Sequence, residues 1–187
     1  MTTIRSSMQK FLLIGAAVCT LGLFSSQAFA DTADDLNAQA NQALQTLYRT
    51  NPVAQKMSTQ ALEILVFPKV LKAGLVFGGS YGEGVLFKDG QPIDYYNTVS
   101  GSWGLQAGAQ SYGYVVFLMD KKSLHYLHES KGWEIGVGPT VVVVNDGVAR
   151  NLSSTTMRSD AYAFIFDQQG LMASLSIEGT KISRVKR

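Results

Sequence analysis

The strongest constraint on the fold lies after Pro68, where strand-length apolar runs are punctuated by glycine. Tyr81–Phe87 and Ile93–Ser100 flank Lys88-Asp89-Gly90, a hairpin signal. Trp103, Leu105, Ala107 and Ala109 alternate with Gly104, Gln106, Gly108 and Gln110 at a period of two. Tyr112–Met119 is a more continuous apolar run. Further strand-like segments span Trp133–Val144, Ala161–Phe166, Leu171–Ile177 and Thr180–Val185, with a turn at Asn145-Asp146-Gly147. Many short strands joined by hairpin turns argue for an antiparallel sheet, not for βαβ units. Glycine inside strands permits tight bends and close backbone approach, as a strongly curved sheet or small barrel requires.

Helices precede this region. Leu36, Ala40, Ala43, Leu44 and Leu47 recur at helical spacing behind a capping box of Thr32 and Asp35. Asn51-Pro52 reads as an N-cap and first helical residue, and Val53, Met57, Ala61, Ile64 and Leu65 carry a second stripe up to Pro68. Asp120 to Ser130 reads as one short inserted helix, capped by Asp120 and ending near Gly132. The expected fold is therefore α+β: N-terminal helices packed on a strongly curved, glycine-rich antiparallel sheet or small barrel.

The first 30 residues follow different rules. Arg5 and Lys10 precede a 14-residue apolar run, Phe11 to Phe24, and then Ala28-Phe29-Ala30. A positive start, a short apolar centre and an A-x-A site make a secretory signal peptide, since a membrane span needs about 17–25 apolar residues. Residues 1–30 are read as a cleaved leader and residues 31–187 as a single domain. Arg5 and Lys10 are two of the 16 basic residues, which leaves 14 against 14 acidic ones and a neutral mature chain. A nucleic-acid binder would carry a clear basic excess. Cys19 is the only cysteine and lies in the leader, so the mature chain has no disulfide or thiolate chemistry. A lipoprotein signal would place leucine and a small residue where Ala16 and Val18 stand.

Chemical motifs are weak. Gly78-Gly79-Ser80-Tyr81-Gly82 fits G-x-S-x-G, but a nucleophile elbow needs a helix after the serine, and Glu83–Phe87 reads as strand. His125 and His128, followed by Glu129, match no zinc signature. Gly82-Glu83-Gly84 and Gly136-Val137-Gly138 lack the last glycine of a nucleotide loop. The expectation is a non-enzymatic domain with no cofactor and no metal. Among charged residues, Lys69 and Lys72 flank the expected turn after Pro68, and Lys181, Arg184, Lys186 and Arg187 close the chain without an acid among the last seven residues. Brought together, these cations would suit lipid phosphates. Alternatively, the closing set is a solvated edge that resists strand pairing.

Val66-Phe67-Pro68-Lys69-Val70-Leu71-Lys72-Ala73-Gly74 resembles the opening signature of the SYLF lipid-binding domain family. Gly78–Gly84 follows as it does there. So do Ser102–Ala109, Val115–Met119, Gly136-Val137-Gly138-Pro139 and Gly170-Leu171-Met172-Ala173 running to Glu178-Gly179-Thr180. The resemblance covers about residues 34–185, and the leader makes the chain similar to the bacterial, exported branch. It implies a lipid-binding module, with phosphoinositide recognition and actin regulation in eukaryotic relatives. Those relatives are associated with an amphipathic N-terminal helix and basic residues at the membrane, whereas the first helix here is acidic. Lys69 and Lys72, inside a matching motif, are thus the first candidates to hold a phospholipid headgroup, and Lys181 and Arg184 the second. The expected role is a periplasmic domain that binds lipid or the outer membrane as a peripheral protein. The alternative is an envelope protein–protein module that docks a partner through a sheet edge or an aromatic face of Tyr95, Tyr96 and Trp103, with lipid binding incidental.

Overall fold

The computed structural model describes residues 32–74, 77–103, 108–129, 132–145, 148–149, 152, 157–170 and 177–187. The expected leader, residues 1–30, lies outside them, as do most of the expected strand Leu171–Ile177 and residues 146–147 of the expected turn.

Helix α1 (Ala33–Thr50) opens on the expected capping box, in which the Thr32 hydroxyl accepts from the Asp35 backbone N–H at 3.1 Å. Its buried residues are Leu36, Ala40, Ala43, Leu44 and Leu47, the stripe legible in the sequence. The Asn51 side chain caps α2 (Pro52–Ser58) by accepting from the Val53 and Ala54 N–H groups at 3.1 Å each.

Helix α2 then stops ten residues short of Pro68. Ile64 and Leu65, expected on its stripe, belong to strand β1 (Glu63–Gly74), which runs straight through the proline. A proline has no N–H to give to a ladder, and a central strand tolerates it only at a bulge. β1 is central, and it bulges there on both sides. Val66 pairs with Val85 and Lys69 with Glu83 on one neighbour, while Phe67 pairs with Tyr114 and Val70 with Tyr112 on the other. In each case β1 carries one extra residue. The turn expected after Pro68 is thus a bulge within a strand.

Strand β2 (Phe77–Lys88) joins β3 (Gln91–Trp103) through the two-residue Asp89-Gly90 turn. Both turn residues have positive φ, 50° and 76°, as a primed hairpin turn demands. Strand β4 (Gly108–Leu118) follows, then helix α3 (Lys121–Glu129), whose Ser123 N–H is capped by Asp120 at 2.9 Å. The single strand expected over Trp133–Val144 is split by a turn into β5 (Trp133–Glu134) and β6 (Val141–Val143). Strands β7 (Ala161–Gly170) and β8 (Lys181–Val185) complete the sheet.

The eight strands lie in the order β5-β8-β3-β2-β1-β4-β7-β6 and curl into a half-barrel. The α+β expectation stands, with the sheet open rather than closed and its edges only two and three residues long. All neighbours pair antiparallel except β6 and β7, which pair parallel.

Both faces are covered in the middle. On one face Leu65, Phe67, Leu86, Tyr114 and Val116 pack with Leu127 of α3, Trp133 and Ile135. On the other, Val66, Val85, Phe87, Val115 and Phe117 pack against α1 and α2. Burial on two sides explains why Tyr112–Met119 reads as a continuous apolar run rather than an alternating one. The bulge at Pro68 shifts the alternation by one. As a result Val70, not Lys69, continues the face of Leu65 and Phe67.

Candidate functional site

Helix α1 covers only part of its face of the sheet. Eighteen helical residues extend about 27 Å, whereas the twelve residues of β1 extend about 40 Å. Beyond the helix, Leu71 pairs with Tyr81, and Tyr81 with Val99. These three are 57%, 51% and 44% exposed, and Phe77, on the same face of β2, is 63% exposed. A cross-strand row of large apolar residues is thereby left open. Between Phe77 and Tyr81 lies Gly79, opposite Ala73 and Gly101, so the surface between the large side chains is shallow.

The four candidate cations do not form one cluster. Lys69 lies on the open face, two residues before Leu71, and its Cα partner is Glu83. Lys181 pairs with Val99 and lies on the same face, three strands from β1, a lateral separation of about 14 Å. Lys72 and Arg184 lie on the opposite face. Lys72 pairs with Ser80 and Gln110, and Arg184 Nε holds Asp94 Oδ2 at 2.6 Å. Glu83, on the same face as the open row, is neutralised by an ion pair with Arg187 and accepts from the Tyr81 hydroxyl at 3.1 Å. Partial burial, aided by that carboxylate, raises the Tyr81 phenol above its usual range, so it stays a donor.

Between α1 and the strands β1 and β7 lies a cleft of about 260 Å3. Its roof is Gln39, Gln42, Ala43 and Thr46, a stripe at i, i+3, i+4 and i+7 on α1, and its floor is Pro68, Lys69, Phe166 and Asp167. Two bulges create it. One is at Pro68; the other is on β7, where Gly113 faces Phe166 but Ser111 faces Gln169. Asp167 sits in that second bulge at φ 52°, an uncommon conformation for a residue other than glycine. Between the bulges lies Gly113, and the Phe166 ring occupies the place a side chain would take, 2.6 Å from a Cβ built there.

The motifs weighed for catalysis have structural partners. Ser80 is buried within β2 and shares a 2.6 Å hydrogen bond with Ser100, so it stands at no strand-to-helix elbow. His125 contacts Glu129 at 3.2 Å, whereas His128 Nε2 bonds the buried Glu63 at 2.9 Å and its Nδ1 lies 3.5 Å from the Tyr96 hydroxyl. Among the described residues no three His, Cys, Asp or Glu side chains gather in a way that could hold a metal. Of the expected aromatic face, the Trp103 side chain lies outside those described, and the two tyrosines do not share a face. Tyr96 is buried in the core, while Tyr95 points to the opposite face, where its hydroxyl accepts from Asn37 Nδ2 at 3.1 Å. Burial raises the Tyr96 and Tyr114 phenols far above their usual range, and Tyr114 donates to Thr98 at 2.6 Å.

The fold is thus an α+β half-barrel with an exposed apolar row, a feature that marks interaction surfaces in general, and a cleft floored by Lys69 and Asp167. Residues 99–187 match the family model described as Ysc84, Las17-binding protein actin regulator, in line with the SYLF resemblance. No curated protein matches the chain significantly. The match takes in Lys181 and Arg184 but stops short of Lys69 and Lys72. Sequence reasoning missed the open row and the cleft. Leu71 looks like any other residue of an apolar run, and the Gln-rich face of α1 looks like solvated surface.

Proposed function

We propose that this is a non-enzymatic, exported domain that docks on a phospholipid surface in the cell envelope through the open end of its sheet. The carrying observation is the in-register row Leu71–Tyr81–Val99, extended by Phe77 and flanked on the same face by Lys69 and Lys181. Moving a half-exposed side chain of this size out of water contributes about 1 kcal/mol, and each lysine near an anionic surface contributes about as much. Pairing of Glu83 with Arg187 removes the charge that would oppose such a surface. The leader-like residues 1–30 support export, and a periplasmic location follows from that reading. Lys72 and Arg184, on the other face, are outside this contact.

The test is flotation of the purified protein with phosphatidylcholine vesicles, with and without phosphatidylglycerol. Binding should rise with anionic lipid and fall with salt. Leu71→Ser with Phe77→Ser should weaken it about thirtyfold, and Lys69→Gln with Lys181→Gln by a similar factor at low salt. Lys72→Gln should change little. Vesicle binding indifferent to the apolar pair, or no binding at low salt, would reject the reading in favour of a protein partner.

A further inference from the structure

The cleft beside the docking row holds two opposite charges that do not pair with each other. Lys69 makes no ion pair with any described residue, although Asp167 lines the same cleft. Among the described residues the Asp167 carboxylate accepts a neutral hydrogen bond, from Gln169 Nε2 at 3.3 Å. Roof residues Gln42 and Thr46 add an amide and a hydroxyl, and Arg49 Nη2 reaches Thr46 Oγ1 at 3.3 Å from one helical turn away. A simple anion would meet Lys69 but be repelled by Asp167. A simple cation would meet the reverse. A ligand bearing a phosphate and a primary ammonium a few bonds apart satisfies both. Charge-assisted hydrogen bonds would run from Lys69 to the phosphate and from the ammonium to Asp167.

Size and lining narrow the choice. Pockets for drug-sized molecules run about 300–1,000 Å3, so 260 Å3 suits a headgroup rather than a whole lipid. A quaternary ammonium is usually held in a cage of several aromatic rings, and Phe166 is the one ring among the described residues that line this cleft. A carboxylate instead favours an ammonium that can donate hydrogen bonds. The geometry points to a phosphoethanolamine site formed by Lys69 and Asp167 under α1. It rests on the docking reading, because Lys69 on the cleft floor lies two residues before Leu71 of the apolar row, and the row would take a lipid's acyl chains. The source is accordingly an ethanolamine phospholipid rather than free phosphoethanolamine.

Two measurements test this separately from docking itself. In the first, the purified protein is titrated with free phosphoethanolamine and with phosphocholine while the side-chain amide signal of Gln42 is followed by NMR. Phosphoethanolamine should shift that signal and bind about tenfold more tightly than phosphocholine. Asp167→Asn, which tolerates the left-handed backbone, should erase the preference, and Lys69→Gln should weaken both ligands. In the second, vesicles of equal anionic content carry either phosphatidylethanolamine or phosphatidylcholine. The wild type should favour the former, and Asp167→Asn should bind the two alike.

A Gln42 signal that ignores phosphoethanolamine, or a preference that survives Asp167→Asn, overturns the headgroup site even if vesicle binding persists. A Gln42 response to the free compound without any gain on ethanolamine vesicles overturns the lipid source. Loss of all vesicle binding with the Gln42 response intact refutes the docking face and leaves the cleft.

Discussion

Adding one methyl group at Gly84 tests how the glycine-rich strand works. Gly84 lies on β2 beneath the fully buried Phe67 ring. A Cβ built on it would stand 2.6 Å from Phe67 Cδ1, 2.7 Å from Cε1 and 2.6 Å from the Val66 carbonyl oxygen. Carbon atoms prefer about 3.5–4.0 Å, so something must move by about 1 Å. The ring has little freedom to do so. It stacks on Tyr114 with centroids 4.7 Å apart, and Tyr114 is tied to Thr98. The carbonyl belongs to the central strand. Overpacking of this kind costs about 1–3 kcal/mol, and here both obstacles are rigid, which places Gly84→Ala at the upper end. The alanine returns about 0.4–1 kcal/mol by restricting the unfolded chain, so the net loss is about 2 kcal/mol. For a domain of this size that lowers Tm by about 4–8 °C. Gly101→Ala is the control, because nothing lies within 4 Å of its Cβ; it should be neutral or slightly stabilising. Thermal unfolding followed by circular dichroism reads both. The double variant with Phe67→Leu should lose less stability than the two single losses summed. Equal melting temperatures for Gly84→Ala and Gly101→Ala would refute the close-approach reasoning.

Two further outcomes follow from the ion pairs. His128→Ala should destabilise the protein by about 1–3 kcal/mol in denaturant titration, because Glu63, 4% exposed, would keep only Lys88 at 3.5 Å among the described residues. His125→Ala, at an exposed pair, should stay within about 0.5 kcal/mol, and equal losses would refute the assignment. Asp160 accepts from Lys122 Nζ and from the Thr140 backbone N–H, each at 2.7 Å, and these bonds hold its carboxyl below the usual range. A depressed folded pKa adds stability that is full above the unfolded value of about 3.9 and is lost as pH falls through the folded one. Asp160→Asn should therefore cost stability at pH 6 and flatten the acid limb below about pH 4, whereas an unchanged acid limb would count against the pair.

Local chemistry was readable from the residues themselves. The α1 stripe, the Thr32–Asp35 box, the Asn51 cap, the Asp89-Gly90 turn and the Asp120 cap each depend on neighbours within a few positions. Each occurs as the pattern predicts. The α+β class follows from the same short-range signals. Pro68 shows where they fail. Its missing N–H announces a helix stop in isolation, yet here a two-sided bulge absorbs it within the central strand. Only the pairing of β1 with both neighbours reveals that.

The proposed docking surface was legible only in its charges. Lys69 and Lys181 could be named from sequence, but which face they occupy depends on strand parity after the bulge, and parity is set by register. Sequence alone determined the helix faces, the turns, the sheet-forming character and the likeness to the SYLF family. Tertiary structure decided that the sheet stays open, that α1 ends before the strands do, and that two bulges bring Lys69 and Asp167 into one cleft. The physical reason is distance along the chain. Caps and turns are settled within one turn of backbone, whereas exposure and juxtaposition depend on residues separated by many tens of positions that meet only in the folded sheet.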